Sequence, residues 1–484
     1  MTQNFPNYID GEWVQGAQAF ENRNPANTGE LVGTFTKASV RDMHDAASAA
    51  AGALPAWSSM SGPARGNILY KAADILDRKF ESVAADMTRE EGKTLPEAKG
   101  EVRRAINILR YFAGEGSRMP GMLVPSERDR VHMFALRKPI GVVGLITPWN
   151  FPSAIPAWKL APALICGNTV VVKPASAAPL SAWRIVEALH EAGIPKGVVN
   201  FVAGSGGELG EAMIAAPPLK AVSFTGSCEI GAWLHAAASK RRLRIQLEMG
   251  GKNPTIVLAD ADFNSAVENV VNAAFFSTGQ KCTATSRAIV EDAIYDRFVA
   301  AVVERTKKLK VGDGMQAGID IGPCVDQGQM DTVLRYIEIG RKESGEPLCG
   351  GDRLTDGALA QGYFVEPTVF AGVEESHTIA REEIFGPVLC IIPYENDEDA
   401  VRMANDTPYG LSGFVTSGNK ERAVQVAKRL RSGNVHMNGA RVDFAGCFGG
   451  YKQSGNGREW GQAGLEEFLE LKAIFGYASE RTRG

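Results

Sequence analysis

The stretch Phe276-Ser277-Thr278-Gly279-Gln280-Lys281-Cys282-Thr283 sets one thiol among polar, turn-forming residues. A free thiol has a pKa near ~8.5 and attacks only as the thiolate, so a cysteine nucleophile needs neighbours that draw its proton away. Most free cysteines instead pack as small hydrophobes. Gly279, Gln280 and the hydroxyls on both sides argue for a polar loop, and spacing alone leaves nucleophile and packing thiol equally open. Three further short stretches carry useful residue types: Thr147-Pro148-Trp149-Asn150-Phe151-Pro152, Lys173-Pro174-Ala175-Ser176 and Phe224-Thr225-Gly226-Ser227. The last opens a helix, whose free N–H groups suit a phosphate. Between the last two, Gly204-Ser205-Gly206-Gly207-Glu208-Leu209-Gly210 is glycine-rich, but its third glycine falls one place late for G-x-G-x-x-G. A plain strand–helix turn explains it equally well.

The elements that must hold these residues follow from periodicity. A helix is expected over 262–277 and a strand at Arg287-Ala288-Ile289-Val290, so Cys282 falls at a helix-to-strand junction, on a loop between rigid elements. Upstream, 7–35 reads as short strands and turns, and 40–120 as helices. Ile68, Leu69, Ala72, Ile75, Leu76 and Phe80 recur at three- and four-residue spacing opposite a charged face of Arg65, Lys71, Asp77 and Arg78. In the helix Glu97–Gly114, Arg103, Arg104 and Arg110 read as a solvated face, one of them within possible reach of a substrate carboxylate. Met133–Arg137 is expected to be a strand outside the main sheet. After Pro139, short apolar strands (141–146, 169–173, 198–203, 220–224, 243–248) alternate with helices (181–192, 207–215, 229–239), and the alternation resumes at 254–258. That pattern predicts an α/β chain with a doubly wound parallel sheet and a second α/β domain carrying Cys282. Ligands of such sheets bind at the carboxyl ends of the strands, where the three short stretches lie.

Composition limits the functional classes. A chain of 484 residues is too long for one compact core, and a net charge of −4 gives no electrostatic reason to expect nucleic acid or an anionic membrane. Residues 1–16 lack a signal-peptide pattern, and no run of about 20 apolar residues would span a membrane. The seven cysteines are scattered, odd in number and without a C-x-x-C pair, which points to reduced thiols in the cytoplasm and to no metal site.

Together the motifs resemble the aldehyde dehydrogenase superfamily: Pro148-Trp149-Asn150-Phe151-Pro152, Val172-Lys173-Pro174-Ala175, Phe224-Thr225-Gly226-Ser227, Leu247-Glu248-Met249-Gly250-Gly251-Lys252-Asn253-Pro254, Gly279-Gln280-Lys281-Cys282, Glu382-Glu383-Ile384-Phe385-Gly386-Pro387-Val388 and Phe448-Gly449-Gly450-Tyr451-Lys452-Gln453-Ser454-Gly455. They occur in the family's order and cover essentially the whole chain. The resemblance implies a Rossmann-like cofactor domain (1–121 and 142–249), a catalytic domain (250–464) and a small β oligomerisation element (122–141 and 465–484). The tail strand is expected to pair with another subunit, giving a homodimer or homotetramer. Cys282 is the implied nucleophile, the Asn150 amide and the Cys282 backbone N–H the oxyanion donors, and Glu248 the base that activates water.

Cofactor contacts are implied at Ile146, Thr147, Pro148, Trp149, Lys173, Ser176, Gly206, Gly210, Phe224, Thr225, Gly226, Ser227, Glu383 and Phe385, with Lys173 on the adenosine ribose. Three departures from the family pattern matter. Ser176 stands where many NAD-preferring members have an acid, so NADP is expected alongside NAD. Cys447 replaces the usual proline before Phe-Gly-Gly. Arginine is absent from the helix 153–163, which disfavours succinic semialdehyde and leaves Phe151, Trp158 and Phe444 to line a tunnel for an apolar or aromatic aldehyde or another semialdehyde. Other readings are a thiol hydrolase or acylating, CoA-dependent relative, which Glu248 argues against, and a catalytically silent protein, which intact Cys282, Glu248, Asn150 and Lys173 argue against.

Overall fold

The computed structural model describes residues 3–477. Residues 1, 2 and 478–484, part of the expected cofactor and oligomerisation segments, lie outside them. A parallel core of five strands dominates the first half, in the order Arg244–Met249, Leu219–Gly226, Val142–Thr147, Thr169–Pro174, Val199–Phe201. The winding direction reverses between Val142–Thr147 and Leu219–Gly226. At such a switch point the following helices diverge to opposite faces and open a crevice beyond the strand ends. These strands are nearly continuous Val, Ile and Leu because helices cover both faces. The sheet is extended to eight strands by the hairpin Asn7–Ile9 and Glu12–Val14 at one edge and by Gly455–Asn456 at the other. That last strand comes from the segment expected in the catalytic domain. It pairs antiparallel with Arg244–Met249, matching Glu248 with Gly455.

The second sheet has six strands, all parallel: Thr368–Ala371, Val388–Tyr394, Thr285–Glu291, Asn253–Val257, Ser412–Thr416 and Asn434–Met437. Four helices precede the five parallel strands, Val40–Ser59, Gly62–Arg78, Phe80–Glu91 and Leu95–Glu115. The last begins with a capping box, in which Glu97 Oε2 accepts from the Thr94 amide (2.9 Å) and hydroxyl (2.8 Å).

Two expectations need correction. Arg65 is buried; its Nε donates to Ile165 O (3.0 Å), so the guanidinium ties the helix Gly62–Arg78 to the end of another helix. The tail strand Leu469–Tyr477 pairs antiparallel over nine residues with Val131–Pro139 of its own chain, its backbone groups satisfied there and not by another subunit's strand. With Met122–Val124 they form a separate three-stranded sheet. Among the described residues no helix is long and apolar enough to cross a membrane.

Candidate active site

The helix Phe263–Phe275 stops because the chain then turns left-handed at three successive residues, Ser277 (φ 52°), Thr278 (φ 58°) and Gly279 (φ 67°). Such conformations cost about 1–2 kcal/mol for each residue with a side chain, so outside contacts must hold them. The Ser277 amide donates to Glu97 Oε1 (2.6 Å) and the Thr278 hydroxyl to Gly322 O (3.0 Å). A Cβ on Gly279 would stand 2.2 Å from Gly386 O, so only glycine fits. Beyond this bend Asn253 Nδ2 donates to the carbonyls of Cys282 (2.8 Å) and Ala284 (2.9 Å), clamping the thiol-bearing residue just before the strand Thr285–Glu291.

Burial first, then the charges of Glu248, Glu383 and Glu459, push the Cys282 thiol well above its ordinary pKa, so it rests protonated. Glu248 is raised well above the carboxylate range, by burial first and then by Glu459, with Lys159 and Arg458 opposing. Among the described residues neither Glu248 oxygen makes a well-formed hydrogen bond, though the Gly450 amide lies near enough to favour the ionised form, and Oε1 occupies the space a side chain on Gly449 would need (2.6 Å). Lys159 donates to Glu459 (2.5 Å), Ser223 Oγ (2.8 Å) and Gln246 (3.3 Å), forming a buried polar group beneath Glu248. Asn150 is buried, and its Nδ2 donates to Gln280 O (2.9 Å), two residues before the thiol. Its own carbonyl accepts from Lys93 Nζ (2.7 Å), which also pairs with Glu101 (2.5 Å). Glu101 in turn accepts the amides of Ser153 (2.8 Å) and Ala154 (3.0 Å), so one buried ion pair fixes the whole Asn150–Ala154 turn.

Cys282 and Asn150 share a cavity of about 230 Å³ with Pro148, Trp149, Thr225, Gly226, Ser227, Glu383 and Phe385. Glu383 accepts the Gly251 amide (2.9 Å) and lies against Gly250, where no Cβ could stand; burial raises its carboxyl to about 7. Trp149 and Phe385 meet edge to face at 5.5 Å. The Phe385 turn is left-handed (φ 57°) and is held by Gln329 Nε2 on the carbonyls of Ile384 (3.3 Å) and Phe385 (2.8 Å). Ser227 caps the helix Cys228–Lys240, accepting from the Ile230 amide (3.4 Å). Ile146, Lys173 and Phe224 are register neighbours on adjacent strands, so buried Lys173 sits one residue short of the strand end, where Thr147 pairs with Pro174. A Cβ on Gly206 would lie 3.9 Å from Lys173 Nζ, and Ser176 donates to Gly204 O (2.7 Å). Gly210 sits one turn further into the helix Gly206–Ala215, with no atom within 4 Å of its Cβ position.

The arrangement can be compared with known proteins. The family model described as the aldehyde dehydrogenase family matches residues 13–474. The chain belongs to the aldehyde dehydrogenase family. The alpha-ketoglutaric semialdehyde dehydrogenase of Bacillus subtilis (strain 168) is 45% identical over 97% of this chain and 97% of its own. The betaine aldehyde dehydrogenase of the same organism is 41% identical over 97% and 96%. A crystal structure of betaine aldehyde dehydrogenase from Staphylococcus aureus in complex with NAD+ superposes with a TM-score of 0.95, at 37% identity over 97% of this chain and 94% of that one.

The chain is therefore an aldehyde dehydrogenase, an enzyme that oxidises an aldehyde. The strand-end residues suit a dinucleotide: Lys173 Nζ donates only to Pro174 O (3.0 Å) among the described residues, which leaves N–H groups for a ribose, and the Thr147 and Thr225 hydroxyls are buried without partners. Phe151, Phe444 and Cys282 are half-buried and pack against the same large core, whereas Trp158 is buried against Phe448 and Trp460. Arg103 and Arg110 pair with Asp77 and Asp74 on the surface, as a solvated face should. Arg104 does not; it is half-buried, and burial lowers its pKa while Glu101 and then Cys282 oppose that. Sequence reasoning passed over Glu459, Lys159, Lys93, Glu101 and Gln329. Only Asn253 lay within a quoted motif.

Proposed function

We propose that the enzyme oxidises its aldehyde through covalent attachment to Cys282, with Glu248 as base for hydrolysis. What supports this is a thiol and an amide donor that share one cavity, with the buried Glu248 carboxyl near enough for its charge to act on the thiol. The minor thiolate form of Cys282, its proton lost to solvent water, attacks the aldehyde carbon through Sγ. Asn150 Nδ2 leaves Gln280 O and, with the Cys282 N–H, donates to the developing oxyanion; one such donor typically contributes 10²–10³ in rate. NAD(P)+, when bound, accepts the hydride released as the thiohemiacetal becomes a thioester. Glu248 then takes a proton from water, the hydroxide attacks the thioester, and the acid leaves with the thiol restored.

Lys173, Ser176, Gly206, Ser227 and Glu383 are proposed to hold the cofactor, Lys173 and Ser176 at the adenosine ribose, Ser227 at the pyrophosphate and Glu383 at the nicotinamide ribose. Ser176 carries no charge, so NADP+ is proposed as a cofactor beside NAD+. The three-stranded sheet is proposed as the surface through which copies form a homodimer or homotetramer. Residues 1–121 with 142–249 and 250–464 are taken as the cofactor and catalytic domains. Glu248→Gln tests the assignment: steady-state turnover should fall ~10²- to 10⁴-fold, while a burst of about one equivalent of reduced nicotinamide survives and an acyl mass stays on Cys282. Normal turnover in that variant would remove Glu248 from the mechanism.

A further inference from the structure

Gly92-Lys93-Thr94 joins the helix Phe80–Glu91 to the helix Leu95–Glu115. Gly92 ends the first helix in a left-handed turn (φ 96°), and a Cβ there would stand 2.7 Å from Pro323, so conformation and space both require glycine. A segment from the second half of the chain closes over this connection. The Leu95 amide donates to Gly314 O (2.9 Å), and a Cβ on Gly322 would lie 2.0 Å from Gly92 O. Lys93 is buried at the junction. Its Nζ donates to Asn150 O (2.7 Å) and Glu101 (2.5 Å), lies 4.3 Å from the centre of the Phe151 ring and stands 3.8 Å from buried Glu91.

The same stretch carries the loop that bears the thiol. Glu97 divides its carboxylate: Oε2 closes the cap on Thr94, and Oε1 accepts the Ser277 amide in the left-handed bend (2.6 Å). Glu101 lies one turn further along the same face and accepts the Ser153 and Ala154 amides. Gly322, pressed against Gly92, accepts the Thr278 hydroxyl (3.0 Å). The loops of Cys282 and Asn150 are thus fastened to one helix start. They are also tied directly, through Asn150 Nδ2 on Gln280 O (2.9 Å). When that amide turns to a substrate oxygen the direct tie is lost, and the spacing of the two loops rests on the helix start they share.

We propose that Lys93 and Glu101 are positioning residues for aldehyde oxidation. They fix the Asn150 backbone so that its amide meets the oxygen of a carbonyl attacked by Cys282, while Glu97 fixes the loop on the sulfur side. This rests on Cys282 as nucleophile and Asn150 as oxyanion donor, as proposed above. A donor contributes only when aimed at the place where charge develops. A buried ion pair suits the task, because either charge left without its partner is strongly unfavourable there.

The test is a double-mutant cycle read on the first hydride transfer, followed as reduced nicotinamide in a single turnover. It uses saturating NAD+ and the best oxidised of propanal, benzaldehyde and 4-oxobutanoate. Lys93→Met with Glu101→Gln removes both charges together and keeps an oxygen for the Ser153 and Ala154 amides. A misplacement of about 1 Å costs ~10²-fold, so this pair of changes should slow hydride transfer ~10- to 100-fold. The Kd of NAD+ and the rate of Cys282 alkylation by iodoacetamide should not change, since neither uses the Asn150 amide. In an Asn150→Ala background the same pair should cost less than ~3-fold, because effects that act through one residue do not add. Equal losses in both backgrounds, a wild-type rate, or a matching fall in alkylation overturns the proposal. Glu101→Gln alone, which leaves Lys93 beside Glu91, is the milder second variant. It should slow hydride transfer in the wild-type background and not with Asn150→Ala, and a wild-type rate overturns the proposal even where the paired variant does not fold. An Asn150→Ala enzyme that transfers hydride at the wild-type rate would instead strike at the proposed function.

Discussion

Glu248 takes its character from its surroundings more than from its type. Burial and Glu459 raise its pKa, so it holds its proton where an exposed glutamate would be ionised. Only the ionised form accepts a proton from water. Turnover limited by deacylation should therefore rise with pH along a limb displaced above the ordinary carboxylate value of ~4.3. A kcat–pH profile already level above pH ~5 would contradict this. Ser176 decides between cofactors by the charge it lacks. A carboxylate ~4–5 Å from a 2′-phosphate carrying roughly two charges is repelled by about 2 kcal/mol even in a water-like dielectric. Ser176→Glu should accordingly raise the Kd of NADP+ by ~20-fold more than that of NAD+, read by quenching of protein fluorescence. Cys282, Asn150 and Glu248 were legible in sequence because each lies in a short contiguous motif. Glu459 was not, because it reaches Glu248 only through the pairing of Gly455 with Glu248 across two hundred residues of chain. Arg104 was seen, but helical spacing alone did not say that it would be half-buried while Arg103 and Arg110 pair on the surface.

At the scale of elements, the reactive loop is a helix end forced into an unfavourable turn and held there by its neighbours. Gly279→Ala meets both difficulties, a left-handed φ and a backbone oxygen at 2.2 Å. The variant should lose more than about 1 kcal/mol of stability and most of its turnover, measured by calorimetry and by the hydride burst. Wild-type values for both would mean the loop tolerates another path. The centres of the parallel strands followed from runs such as Thr169-Val170-Val171-Val172, since a strand covered on both faces must be apolar throughout. Edges did not follow. Gly455–Asn456 is two residues with no apolar pattern, and its place depends on a partner that only the fold supplies. Arg65 was misread for a related reason. A charged residue on a helix looks solvated until the carbonyls at another helix end are brought to it.

For the whole molecule, the sheet of Met122–Val124, Val131–Pro139 and Leu469–Tyr477 is the most exposed apolar surface described. Leu123 is 83%, Leu471 64% and Phe475 69% exposed, far from the habit of such residues in a monomer. Replacing both Leu471 and Phe475 by Asp should shift the protein to a smaller species in analytical ultracentrifugation, with the hydride burst retained; an unchanged sedimentation coefficient would place the subunit contact elsewhere. The left-handed bend before Cys282 has one more consequence, for how the chain matures. Its supports come from both halves of the sequence: Glu97 from the helices ahead of the first sheet, Gly322 and Gly386 from segments around the second. Neither half alone can hold the bend. A nascent or half-folded chain therefore carries Cys282 as an ordinary thiol, without the proposed donors and base around it. Reactivity arrives only when the two halves close on each other, so the rate at which Cys282 gains its reactivity in refolding is a clock for that closure.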